Sequence, residues 1–371
     1  MLRIIEMAIA MFYMVTGMQS PAAEAAAVQA PPETHSVSMA AVGDNLIHDV
    51  IYWQAKQQDG SYDFTALYEH VAPLIEEADL AVINQETPMA EGEPSSYPMF
   101  NTPSVMAAHL RNIGFDVLSV SNNHMLDQGS EGLAQTIRRI RDTEGLTQCG
   151  AHLDSSEWEQ IPIVEKNGIR IAFLGFTQHT NGINPLAERA DMIPYTDNTE
   201  ELELQISLAR EQADAVIVSV HWGDEGSLQP NAYQKELAQA IADLGADVIL
   251  GTHPHVLQPV ETLERADGGS CTVLYSLGNF VSAQVGTANL VGAIAHFTLV
   301  KEGDEPVRVE GLTFTPLVTH YGSGYSALTV YPLSDYTAEL AAGHGMRAMG
   351  NSFSLEGINA VLEETILPSE N

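Results

Sequence analysis

The sequence predicts an α/β protein with sheet in the middle and helices on its faces. Three observations carry this. Apolar runs alternate with helical patterns from about residue 37 to 250, the runs are apolar throughout instead of every second residue, and short antiparallel β pieces follow residue 250. At 371 residues and 45% hydrophobic composition the chain can bury a large core, which sets disorder aside.

The elements follow in order. After Met-Leu-Arg, the stretch from Ile4 to Met18 is apolar except at Glu6 and Thr16, and small residues spaced as A-x-A follow from Ala22 to Ala27. That order reads residues 1–27 as a secretory signal peptide or N-terminal anchor, and so places the rest outside the cytoplasm, secreted or held at the outer face of the membrane. Residues 28–36, with Pro31-Pro32, read as a linker. A main domain is expected over 37–320 and a C-terminal extension of weak helix and loop over 321–371. Within the main domain the patterns predict strand at Val37 to Val42, helix at Phe64 to Glu77, strand at Leu80 to Ile83, helix at Ser104 to Ile113 and strand at Val117 to Val120. A helix from Ser130 to Arg141, a hairpin from Ile161 to Leu174 turning at Asn167-Gly168, a helix from Thr199 to Ala213 and a strand from Ala215 to Val220 continue the alternation. Asn231 and Gly245 bound a helix from Ala232 to Leu244, and Val248 to Leu250 is the next strand. The closing β pieces are Thr272 to Tyr275, Asn279 to Val281, Gly292 to Val300 and Val307 to Thr315.

Charge excludes some partners. With 15 Lys and Arg against 49 Asp and Glu, the net charge of −34 offers nucleic acid or anionic lipid no cationic face. Cys149 and Cys271 are the only cysteines, too few for a disulfide framework or a thiolate zinc site, and they read as one bridge or two buried thiols.

Chemistry gathers where strands end, the place where open α/β sheets bind ligands. The predicted strands run into Gly43-Asp44-Asn45, Asn84-Gln85-Glu86, Ser121-Asn122-Asn123-His124 with Asp127, His221-Trp222-Gly223-Asp224-Glu225, and Gly251-Thr252-His253-Pro254-His255; later, Ser276 to Phe280 closes a β segment. Imidazole mixed with carboxylate and amide oxygen suits zinc, manganese or iron, whereas calcium or magnesium takes oxygen alone. His253 and His255, two apart on an extended segment, would face one side. Singly, an Asp after a strand is ordinarily a turn residue or cap, and a lone His a satisfied core residue. Five strand ends carrying ligand-type side chains make a site the stronger reading. No His-Glu-x-x-His helix marks a zinc protease.

At these residues the sequence resembles the CapA family of bacterial poly-gamma-glutamate capsule synthesis proteins, a branch similar to the calcineurin-type metallophosphoesterases. The resemblance runs from about Met39 to Val281 and includes Thr87-Pro88, Gly129, Gln258 and Ser276 to Phe280. It implies a four-layer α/β/β/α metallophosphatase-like sandwich with mixed sheets. It implies one or two divalent ions (Mn, Zn or Fe) held by Asp44, Glu86, Asn123, His221, His253 and His255, with Glu86 as bridge. His124 matches the acid or transition-state stabiliser, and Asp127 the residue that orients it. Asn45, Asn122, Trp222, Glu225, Gln258 and Asn279 are expected to shape the substrate pocket. The sequence departs from the phosphoesterase pattern at Leu46, where that pattern has His, and at Glu86, where it has Asp; the nearest imidazole is His48. The expectation is a metal-dependent hydrolase acting on an anionic envelope polymer or phosphoester beside membrane-bound polymer synthase components. The alternative is a non-catalytic component that binds such a polymer and helps export it.

Overall fold

The computed structural model describes residues 33–367, so the leader or anchor expected at 1–27 lies outside the described residues. Along the chain the strands are β1 (Thr34–Asn45), β2 (Leu80–Gln85), β3 (Val117–Ser119), β4 (Thr147–Cys149), β5 (Ile163–Lys166), β6 (Ile169–Thr177) and β7 (Ala215–His221). They continue as β8 (Val248–Thr252), β9 (Val260–Glu264), β10 (Ser270–Leu274), β11 (Asn279–Val281), β12 (Val291–Glu302), β13 (Arg308–His320) and β14 (Thr329–Pro332). They form two sheets. The first has the order β14-β13-β12-β1-β2-β3-β4, parallel from β1 to β4 and antiparallel from β1 to β14, with β11 paired to the end of β1. The second has the order β5-β6-β7-β8-β10-β9, with antiparallel strands on both edges of a parallel centre.

Three apolar layers hold these sheets, and they correct the single central sheet read from hydrophobic patterning. Val37, Met39, Leu80 and Val82 of the first sheet meet Ile169, Ile171, Phe173, Ile217 and Leu250 of the second. The alternate residues point outward: Ala40 and Ala81 toward Ile51, Leu110 and Ile137, and Ala172, Val216 and Ile249 toward Leu202, Ile206 and Ile241. The central strands are apolar on both faces because one face meets helices and the other meets the partner sheet. The result is the α/β/β/α sandwich with mixed sheets that the family resemblance implies. Cys149 lies in the middle layer and Cys271 in an outer one, both buried and unbridged.

Local chemistry explains the smaller differences. The helix expected from Phe64 to Glu77 is two short ones, Thr65–Tyr68 and Ala72–Glu76, because Pro73 lacks the N–H a continuing helix needs. Asn231 and Gln234 form a reciprocal capping box at the start of Ala232–Asp243. The expected weak tail contains helices Ala338–Gly343, Gly345–Ala348 and Leu355–Glu364, and Ile358, Val361 and Leu362 are buried against the first sheet's outer core. No helix among the described residues is long and apolar enough to cross a membrane.

Candidate metal centre

Register brings the strand ends level. Asp44 pairs with Asn84 across β1 and β2, and Thr177, His221 and Thr252 line up across β6, β7 and β8. Two glycines allow the close approaches behind this. A Cβ on Gly43 would stand 1.8 Å from the Gly278 carbonyl oxygen, and one on Gly251 would stand 2.0 Å from that of Tyr275. Any side chain there would displace backbone.

At the meeting point sits Glu86, fully buried, with neither carboxylate oxygen in a hydrogen bond. His255 Nε2 lies 3.6 Å and His221 Nε2 3.8 Å from Glu86 Oε1. His221 Nε2 is also 3.1 Å from Asn123 Oδ1 and 3.1 Å from His253 Nδ1. Lone-pair atoms of Glu86, Asn123 and the His221–His253 pair thus converge where few protons exist to join them, the arrangement a cation would satisfy. Asp44 is held by Asn84 Nδ2, which donates to its Oδ1 at 2.7 Å, and accepts the His253 N–H on Oδ2 at 3.2 Å. His255 Nδ1–H donates to Asp44 Oδ2 at 3.1 Å and to Asn279 Oδ1 at 3.0 Å, which turns Nε2 toward Glu86. Asp44, Glu86 and His255 form one set of donor atoms within 4.8 Å of one another, and Glu225, His253 and His255 form another.

His253 and His255 do not lie on an extended segment as expected. They occupy a turn after β8 with φ of +95° and +55°, a left-handed conformation that costs a non-glycine residue on the order of 1–3 kcal/mol. Both rings nevertheless reach the cluster, because the turn itself aims them.

Electrostatics differ among the donors. Burial, then the negative charges of Asp44, Glu225 and Asp127, push the Glu86 carboxyl well above its usual range against the pull of His255. Burial, then the neighbouring imidazoles, hold His221 well below its ordinary value and lower His253 to about 3. Both are neutral at physiological pH, the form in which imidazole binds metal. Burial would lower His255 too, but Glu86 and Asp44 outweigh it and raise the ring to about 10.

His124 stands at the rim. Its Nδ1–H donates to Asp127 Oδ2 at 2.8 Å, and the same oxygen accepts the Phe100 N–H at 2.7 Å. The Phe100 ring meets His124 edge-on, with centroids 4.7 Å apart. Asn122 accepts the His124 N–H at 3.1 Å and donates to the Gln85 carbonyl at 3.1 Å, so it braces the turn.

Some residues expected in the pocket stand away from the cluster. Asn45 is locked between the Tyr68 hydroxyl (2.6 Å) and Gln85 (2.7 Å). The Trp222 indole N–H donates to the Tyr275 carbonyl at 2.9 Å within the outer core. Gln258 links Gln234 to the Ser227 carbonyl, each at 2.8 Å. One imidazole lies outside the set the strand ends predict: His179, whose ring lies 5.1 Å from that of His253. The predicted hairpin ended at Leu174, whereas β6 runs on through Phe176 and Thr177, so the strand-end rule would have found His179.

Two packed sheets between helix layers, with ligand-type side chains where strands of both sheets end, define an α/β/β/α sandwich with its site at the carboxyl ends of the strands. The chain belongs to the bacterial capsule synthesis protein PGA_cap family, whose model matches residues 38–284. It is 30% identical over 281 residues to the capsule biosynthesis protein CapA of Bacillus anthracis, covering 73% of this chain and 66% of that one. It is 32% identical over 255 residues to the PGA biosynthesis protein CapA of Bacillus subtilis, covering 64% and 62%. The chain thus spans just under two thirds of the length of these relatives. Among solved structures, a putative 5'-nucleotidase from Staphylococcus aureus is similar over 89% of this chain and 58% of that one, at 13% identity and a TM-score of 0.49.

Proposed function

We propose that this chain is a metal-dependent hydrolase of phosphoester or envelope-polymer bonds, working outside the cytoplasm in the making of an anionic, polyglutamate-type capsule. The observation that carries it is Glu86, a buried carboxylate with no hydrogen-bond partner, ringed by imidazole and a second carboxylate. Such a group costs several kcal/mol unless a cation balances it. Asp44, Glu86 and His255 would hold one ion, and Glu86 with Asn123, His221 and His253 would hold a second where two are bound. The mixed nitrogen and oxygen set suits Mn, Zn or Fe.

A bound divalent ion would acidify a water and offset charge on the scissile group. His124 would give a proton to the leaving group. Its Nδ1 proton is committed to Asp127, which leaves Nε2 as the atom that faces the reaction, and the Phe100 ring edge holds the imidazole in that pose. The same centre would give an otherwise acidic protein local attraction for an anionic substrate, with membrane-bound polymer synthase components as neighbours.

Elemental analysis of protein purified without added metal should find at least one equivalent of Mn, Zn or Fe. His124→Ala should keep that metal and lose about 10²- to 10⁴-fold in phosphoester turnover. Protein with no bound metal and no metal-stimulated turnover of phosphoester or polyglutamate bonds would sink the reading.

The biosynthetic names of the two Bacillus relatives favour a second reading, a metal-containing component that binds the polymer and helps its export without turnover. His124→Ala would then leave polymer binding unchanged.

A further inference from the structure

The geometry points to Glu225 as a further metal ligand, a solvent-side carboxylate that joins His253 and His255 at the open side of the centre. This rests on the metal-centre reading above. Residue 46 is a leucine, 2% exposed and without a donor atom in its side chain. His48 is engaged elsewhere, since its Nδ1 lies 3.1 Å from the Leu46 carbonyl and 3.3 Å from the Ala283 N–H, and its ring packs on Phe100. The Asp44, Glu86 and His255 set therefore offers three donors, one short of a tetrahedral shell.

Glu225 is held in the second donor set, with His253 and His255. The loop after β7 is fastened to the histidine turn after β8 at two points: Trp222 N–H donates to the Thr252 carbonyl at 3.1 Å, and Gly226 N–H to the Pro254 carbonyl at 2.8 Å. The second bond joins the residue after Glu225 to the one between His253 and His255. Gly223 makes the turn with φ of +89°, and its N–H donates to Gln178 Oε1 at 3.0 Å. The Glu225 carboxylate consequently lies within 4.8 Å of donor atoms of both histidines. Among the described residues no hydrogen bond or ion pair holds it. Its neighbour Asp224 is taken up by Asn231, whose Nδ2 donates to it at 2.8 Å. Glu225 is exposed, so it can change without disturbing the core, whereas Glu86 is fully buried.

The test is calorimetric titration of Mn²⁺ into the metal-stripped full chain, with visible absorption of the Co²⁺-loaded protein as a second readout. Glu225→Gln should weaken Mn²⁺ binding at least ~10-fold and change the Co²⁺ spectrum. Asp224→Asn removes the same charge one residue away and should change neither. An unaltered affinity and spectrum in Glu225→Gln, or an equal loss in Asp224→Asn, would overturn the ligand assignment while leaving the metal centre standing. A wild-type chain that takes up neither ion would overturn both.

Discussion

Two buried carboxylates occupy opposite ends of the sandwich. Asp247, just before β8 at the amino end, accepts hydrogen bonds from Arg210 (2.7 Å), Arg265 (2.6 Å) and the Val216 N–H (2.8 Å). Glu86, just after β2 at the carboxyl end, accepts none. The fold satisfies the first with hydrogen bonds from its own groups and gives the second none. Histidines repeat the contrast. In the C-terminal region His344 has both nitrogens engaged by backbone, and His320 meets the Tyr336 hydroxyl at 2.8 Å, whereas His221 and His253 turn nitrogens toward each other. Clusters of titratable groups are common in this molecule. What marks a site is the cluster whose acceptors have nothing to accept.

The sharpest way to break the comparison is at Asp247. Asp247→Asn takes the shared carboxylate from Arg210 and Arg265, leaving them the Ala213 carbonyl and Asp267, and should cost about 3 kcal/mol of unfolding free energy in urea, with metal content unchanged. We take the low end because burial raises the Asp247 carboxyl above its ordinary value despite both arginines. A loss of metal in this variant would show that the two ends are coupled.

Glu86→Gln should do the reverse. Metal affinity should fall ~100-fold or more by elemental analysis and titration, since a carboxylate ligand is gone. The metal-stripped variant should then be more stable than metal-stripped wild type by about 1–2 kcal/mol, because a buried carboxyl whose charged form burial disfavours is replaced by a neutral amide. A stripped variant that is less stable would mean that Glu86 serves the fold, and the contrast with Asp247 would fail.

The sequence makes much of this end of the molecule legible. Gly43-Asp44, Asn84 to Glu86, Asn122 to His124 and His253 to His255 each follow an apolar run, and strands that run into polar, ligand-type residues reveal their own ends. Less is visible elsewhere, for physical reasons. Apolar residues on both faces of β1 and β6 say that both faces are buried, but not that one of them meets a second sheet. The three-residue β4 and the half-exposed β9 are too short or too polar to show a period. Trp222 follows His221 at the end of β7 and turns into the outer core, since alternation along a strand sends neighbours to opposite faces, and Gln258, past the histidine turn, ties Gln234 to the Ser227 carbonyl. The left-handed backbone at His253 and His255 has no signature in residue type, because glycine would be the expected occupant.

The smallest effect lies in the satisfied histidine region and tests whether it is as passive as the contrast requires. Burial, reinforced by His320, lowers His344 to about 4 against the hydrogen bond to Thr319, and its ring stacks on Phe353 with centroids 4.0 Å apart. Neutral His344 donates from Nε2 to the Thr319 carbonyl (3.2 Å) and accepts the Met346 N–H on Nδ1 (3.1 Å). Protonation would set a second donor against that N–H. The unfolded chain takes up a proton near pH 6.5, while the folded ring refuses it until about pH 4. Stability contributed here is therefore present above pH 6.5 and is lost as the pH falls toward 4, by on the order of 1 kcal/mol at pH 5. Because His221 and His253 titrate in the same direction, the measurement is a difference: urea unfolding of metal-stripped wild type and His344→Gln at pH 7, 6 and 5. The variant's profile should be flatter. Parallel profiles would mean that His344 meets the proton without cost and that its region is less tightly satisfied than its hydrogen bonds imply.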